Sequence, residues 1–447
     1  MSTVIELEPA RTRNDGPSVL PANTSTPVDN IEQGSWSPSP AIEVEAPLTL
    51  PIIIKLISCA FAFFVAGIND GSIGALIPYI LRFYDIGTGS VTATYAAAFS
   101  GWLLVALIGG YVSGRIGVGG ALVLGATSQL LAQILRIWAS SFPVFAMTFF
   151  FAALGLAFQD SQANTFVSSV KSAHRWLGVI HACYGFGCLI GPLVATAIAS
   201  TRPVHWQQFY IFPMSLGVVN LSLVFWAFRK EISVRRGADG EGALTARQGV
   251  DKALNEMRAT AKQRATWTLS LFFFFYLGVA ITAGGWLVEY LVKVRKGQLS
   301  NVGYVATGYY GGVALGRLVL VEPTHRFGER PMLLLYSILC LMLQVIFWQV
   351  RSVITDAVVV SLMGFLLGPY FAAGITVGTK LLPKEIHAPA LSLIFVIGQA
   401  GGTLFPVITG VVATKAGVSV LQPILIGLIV VMGLSWAMVP KVHRRSD

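Results

Sequence analysis

Long apolar runs follow one another along most of this chain, divided by short polar interruptions. A helix that crosses a bilayer needs about 20 mostly apolar residues. Twelve windows meet that need, at 53–80, 91–113, 120–139, 143–168, 176–199, 207–228, 268–292, 302–321, 331–350, 356–379, 388–412 and 420–440. The longest polar interval beyond the N-terminal tail runs from Arg229 to Thr266 and leaves six windows on each side. The pattern predicts an all-α integral membrane protein with 12 transmembrane helices in two six-helix bundles. The expected divisions are a disordered cytosolic tail (1–50), an N-terminal bundle (51–228), a central cytosolic loop (229–267), a C-terminal bundle (268–440) and a short cytosolic tail (441–447). In the central loop Val250, Leu254 and Met257 fall at i, i+4 and i+7 among basic residues, which predicts an amphipathic helix on the inner membrane face.

Composition excludes a soluble fold. Only 12% of the residues are charged and 54% are hydrophobic, against about 25% charged in soluble domains. The first 50 residues differ, with seven prolines, seven acids and no apolar run; such a segment cannot bury a core. Lys and Arg are unevenly placed: with the N-terminus inside, 23 lie in inner segments and 8 in outer ones. Basic loops stay on the cytosolic side, so both termini are expected in the cytosol. The net charge of +10 is explained by inner loops facing an anionic leaflet and needs no nucleic acid. Cys59, Cys183, Cys188 and Cys340 lie inside spans without metal-ligand spacing, so no metal or cofactor is expected.

An internal repeat is visible. Gly110-Tyr-Val-Ser-Gly114-Arg115 ends one span and Gly312-Val-Ala-Leu-Gly316-Arg317 ends another. Matching Arg115 with Arg317 requires an offset of 202, whereas matching Arg115-Ile-Gly117 with Arg326-Phe-Gly328 requires 211. The latter is nearer the offset of 214 relating Pro192 to Pro406. The better second copy is therefore Arg326-Phe-Gly328-Glu-Arg330, and Arg317 becomes a separate intramembrane arginine that either snorkels or meets an acid or anionic solute. Duplicated bundles are the usual build of secondary transporters.

Ser113-Gly114-Arg115-Ile-Gly117 resembles the loop signature of the major facilitator superfamily, although Gly114 stands where an acid is expected and Val118 and Gly119 where basic residues are expected. Four further stretches resemble fungal members of its sugar-permease-like (fucose/glucose-type) branch. They are Gly67-Ile-Asn69-Asp70-Gly-Ser-Ile-Gly74, His181-Ala-Cys-Tyr184-Gly-Phe-Gly187, Gly284-Gly-Trp286 and Gly398-Gln399-Ala-Gly-Gly402. The resemblance implies a transporter that moves a small organic solute by alternating access, coupled to protons. It would also place an acid near position 280, where this chain has Ala280.

Asp70 and Asp160 are the acids expected well inside spans, and an ionisable group there is a functional candidate by default. The alternative for Asp70 is a structural one, capping a helix break at Asn69-Asp70-Gly71. Asn164 lies one turn beyond Asp160, and His181 is expected at a similar depth as a partner for it. Asp70, Asp160 and His181 are the proton-coupling candidates. Asn69, Asn164, Tyr184, Trp286, Arg317 and Gln399 are the solute-cavity candidates. Lys55, Arg136 and Glu289, near span ends, are expected to snorkel. A membrane enzyme would need a clustered metal site or an activated nucleophile, and the six histidines are scattered. A non-transporting sensor on a transporter fold is the alternative, and a long signalling tail is expected of it. Within transport, uptake of a sugar-like solute and export of a metabolite or toxin both remain open. A monomer in the plasma or vacuolar membrane is expected.

Overall fold

The predicted crossings are present, but helices and crossings do not correspond one to one. The computed structural model describes residues 48–138, 141–233, 255–383 and 386–440. The expected tails, most of the central loop, and Val250 and Leu254 of its amphipathic helix lie outside the described residues; residues 255–262 are helical, with Met257 exposed. The first half contains α1 (Leu50–Phe83), α2 (Ala93–Ile137), α3 (Phe142–Ser168), α4 (Ala173–Thr201) and α5 (Ile211–Phe228). The second contains α6 (Arg264–Lys293), α7 (Leu299–Val319), α8 (Glu329–Gln349), α9 (Val353–Leu367), α10 (Tyr370–Leu381), α11 (His387–Ala416) and α12 (Leu421–Met438).

α2 makes two crossings. Its 45 residues would extend about 68 Å if straight, more than twice a bilayer core of about 30 Å. It is not straight, because Gly117 has φ +74° and ψ 170°. Gly101 on the first arm lies against Phe150 of α3, and Gly125 on the second lies against Gly155 of the same helix. Both arms therefore stand at one height, and α2 folds back on itself at Gly117. The reverse happens in the second half, where α9 and α10, broken at Gly368 and Pro369, form one crossing. Among the described residues, ten helices are long and apolar enough to cross a membrane, with α2 counted once. α7 is not among the ten; its tyrosines, glycines and Arg317 lower its hydropathy. Counting α2 twice and adding α7 gives twelve crossings.

The repeat survives as packing. α1 packs on α4 as α6 packs on α11, and across the halves α4 meets α7 as α11 meets α2. Gly328, 211 positions after Gly117, also has a positive φ, +98°, so the offset read from the sequence relates two chain reversals of one kind. An L-residue is strained there.

Lipid tails are as apolar as the side chains they touch, so packing rather than exclusion from water holds such a bundle together. The exposed surface is accordingly apolar, as at Leu107, Leu318 and Ile354. Inside, aromatic rings interlock: Tyr276 stacks on Tyr370 with centroids 5.6 Å apart, and Phe272 lies 4.6 Å from Trp436.

Polar contacts define two faces. On one, Lys55 pairs with Glu231, Lys380 pairs with Glu329, and Arg330 donates to the Ala437 carbonyl; each of these stays within a half. On the other, Thr88 donates to the Gly410 carbonyl at 2.9 Å and lies 3.3 Å from the Thr414 hydroxyl, joining the halves. Toward that face Gly74 of α1 lies so close to Gly284 of α6 that an added Cβ would sit 2.0 Å from the Gly284 carbonyl oxygen. The molecule is closed on the Thr88 face.

The two reversals should tolerate substitution differently from their neighbours. Gly117→Ala and Gly328→Ala, at positive φ with extended ψ, are each expected to cost about 1–3 kcal/mol. Gly117→Ala should cost more, because its Cβ would lie 2.3 Å from the Glu231 carbonyl oxygen. Gly110→Ala and Gly114→Ala, with open space at each Cβ, should leave the melting temperature of the purified protein unchanged.

Candidate functional site

A polar track starts behind α1 and ends at the boundary between the halves. α1 is continuous through Asn69, Asp70 and Gly71, so Asp70 caps no break. Behind it, Arg136 donates from Nη1 to Asn69 Oδ1 at 2.8 Å and from Nε to Thr148 Oγ1 at 2.8 Å. Gln133 donates to the same Asn69 oxygen at 3.1 Å. Asn69 Nδ2 in turn reaches Asp70 Oδ1 at 3.4 Å, and the Tyr184 hydroxyl of α4 donates to Asp70 Oδ2 at 2.9 Å. Over the Tyr184 ring, 5.8 Å from its centroid, lies the guanidinium of Arg317 from α7 in the other half. Asp70, Tyr184 and Arg317 are each half-buried.

Asp160 on α3 stands within electrostatic reach of Asp70. Asn164 donates to its carboxylate at 3.2 Å, the contact expected from their spacing. The expected His181–Asp160 pair is not among the described contacts. His181 instead lies between rings, edge-on to Phe63 at 5.2 Å and tilted on Phe371 of the other half at 5.6 Å.

Arg136 corrects one expectation. It does not snorkel: it is 1% exposed and lies under the Phe149 ring, 4.0 Å from the centroid. Trp286 corrects another. It is fully buried and donates to the Pro406 carbonyl at 3.0 Å, which makes it a joint between α6 and α11 rather than a cavity wall. Gln399 is half-buried on α11. Gln129, Gln159 and Asn220 form a buried amide chain between α2, α3 and α5, with 2.8 Å and 3.3 Å contacts, which is interhelical glue.

The second half holds a charge pair that the sequence reading missed. Asp356 is buried and accepts from Arg295 Nε at 2.8 Å, while Arg295 Nη2 caps carbonyls at the end of α8. An acid in the first turn of a helix was the available signal. Glu289, expected to snorkel, is also buried. Among the described residues, no group of three or more His, Cys, Asp or Glu is placed to hold a metal.

The family model for the Major Facilitator Superfamily matches residues 59–406. The chain belongs to that superfamily. It is 25% identical over 418 residues to Bypass of stop codon protein 6 of Saccharomyces cerevisiae, covering 88% of this chain and 84% of the relative. It is 19% identical over 350 residues to the glucose/mannose transporter GlcP of Bacillus subtilis, covering 78% and 85%. Among solved structures it is similar to a bacterial homologue of the human lysosomal transporter Spinster in an inward-facing, unoccupied conformation (TM-score 0.67, 14% identity, 87% and 96% covered). It is also similar to the fucose:proton symporter FucP of Escherichia coli (TM-score 0.61, 16% identity, 87% and 99% covered).

As a Major Facilitator Superfamily member the protein is a multi-pass membrane transporter and not an enzyme. The superfamily's loop signature takes an unusual form here. Arg115 stacks on Tyr111 at 5.2 Å. The loop is held by backbone instead of by a charge pair, with Ser233 N–H donating to the Ile116 carbonyl at 3.1 Å. In the second copy Arg326 is exposed and Arg330 ties α8 to α12. The signature charges described here act within their halves.

Arg136 should matter for stability where Arg115 does not. Arg136→Met leaves the buried Thr148 oxygen without its donor, at about 1–3 kcal/mol, and leaves Asn69 Oδ1 with Gln133 alone. A clear fall in melting temperature is expected, whereas Arg115→Met should melt with the wild type.

Proposed function

We propose that the protein moves a small polar organic solute by alternating access, coupled to protons through Asp70 with Asp160 beside it. The observation that carries this is the Asp70–Tyr184 contact facing Arg317. A half-buried intramembrane carboxylate is hydrogen-bonded to a residue that also touches the opposite half. A proton on Asp70 would change the charge of the cavity at the place where the two bundles meet, so occupancy and rocking share one set of contacts. Likeness to the glucose/mannose transporter and the fucose:proton symporter supports this reading. With basic residues counted inward, the Lys55 face is cytosolic, both termini are cytosolic, and closure at Thr88 corresponds to a cavity open to the cytosol. The plasma or vacuolar membrane is the proposed site.

The test begins with a solute screen on a deletion strain and continues in proteoliposomes. Each unit of pH difference supplies about 1.4 kcal/mol per proton, or roughly tenfold accumulation. Wild-type protein is expected to accumulate the solute and to lose that accumulation when an uncoupler is added. Asp70→Asn should retain solute exchange but lose accumulation. Accumulation that withstands the uncoupler, or that persists in Asp70→Asn, would overturn proton coupling through this residue.

A further inference from the structure

Arg317 ends the polar track with a charge that no described carboxylate pairs. It lies in the last turn of α7, at the boundary with α4. Its Nε is shut off from solvent and has no hydrogen-bond partner. Its Nη1 points at Gly185 of α4, where even a Cβ would come within 3.8 Å. Its guanidinium lies over a phenol, the Tyr184 ring, 5.8 Å from the centroid. Among the described residues no carboxylate forms an ion pair with it. Arg295, by contrast, is matched by Asp356. A charge taken out of water costs several kcal/mol unless it is paired. A cation held half-buried at the boundary between the halves, without a counter-ion among the described residues, is suited to an external anion.

From this geometry we propose that the transported solute is a small organic anion whose carboxylate docks on Arg317. The proposal rests on the reading of the cavity as the transport path. It also explains why protons enter with the solute. Arg317, Asp70 and Asp160 together leave the cavity net negative when both acids are ionised, and an entering carboxylate is repelled. Protonation of one acid makes the three neutral, and protonation of both leaves one positive charge. Anion affinity therefore rises as pH falls. The other groups facing these three do not reverse that sign. Tyr184 and Cys188 of α4, Tyr276 of α6 and Tyr310 of α7 are phenols and a thiol, uncharged in their ordinary form near pH 7, Arg136 behind Asn69 is a fixed cation, and protonation of His181 would only add positive charge.

The test uses the purified full chain in detergent and matched pairs of probes. D-gluconate and D-glucuronate are set against D-glucose, and lactate against propane-1,2-diol. At least one carboxylate is expected to raise the melting temperature while its neutral parent does not. Its dissociation constant should tighten by about tenfold per unit fall in pH where one proton binds with it. Arg317→Gln should melt normally without ligand and lose the carboxylate shift, and Arg317→Lys should recover part of it. An unchanged carboxylate shift in Arg317→Gln, or no shift by any carboxylate, overturns the assignment. Stabilisation by neutral parents alone also overturns it, while leaving proton-coupled transport of a neutral solute standing.

Discussion

An unpaired charge in a bilayer interior costs several kcal/mol, and the arrangement of polar groups in this protein follows from that cost. The fold meets it by enclosing a charge inside one half, by pairing it at a helix end, or by leaving it beside the opening between the halves. Arg136 is enclosed, with hydrogen bonds to Asn69 and Thr148 and an aromatic ring beneath it. Arg295 is paired with Asp356 and three carbonyls. Asp70, Asp160 and Arg317 remain only half-buried. Those are the charges whose partners can change, and transport is proposed to run through them.

The surrounding packing makes that change mechanical. α1 and α6 meet at a glycine-on-glycine contact, and Thr88 fastens the same face with side-chain hydrogen bonds. At the opposite face the described ion pairs stay within one half. Each bundle is thus braced internally at one face and joined to its partner at the other, a build suited to rigid-body rocking. Tyr184 belongs to both systems, as donor to Asp70 within its half and as the ring under Arg317 of the other.

Most of the architecture was legible from residue pattern. Apolar windows placed the crossings, and the 211-residue offset anticipated two reversals whose positive φ values the structure displays at Gly117 and Gly328. The windows counted crossings correctly even where helices and crossings differ: 91–113 and 120–139 fall on the two arms of α2 either side of Gly117, and 356–379 spans the crossing that breaks at Gly368 and Pro369. Among the candidates, Asp70 and Asp160 were legible because an acid in an apolar run is conspicuous at any register, and the i, i+4 spacing anticipated the Asn164–Asp160 contact. Arg136 was misread because a span-end arginine usually reaches outward. Its true direction was written in Gln129, Gln133 and Arg136, three polar residues on one helical face. Trp286 was misread for a different reason: adjacent glycines can open a cavity or admit a neighbouring helix, and only tertiary contacts distinguish the two.

Transport is proposed to join a solute held between the halves to a proton held on Asp70 or Asp160. Solute-induced infrared difference spectroscopy on the purified protein reads this directly, through the C=O stretch that only a protonated carboxylic acid displays. Solute binding is expected to strengthen this band in wild-type protein, and the change is expected to disappear in an Asp70→Asn, Asp160→Asn double variant that still binds solute. Solute binding with no change in the carboxylic-acid band, or a change that persists in the double variant, would contradict it.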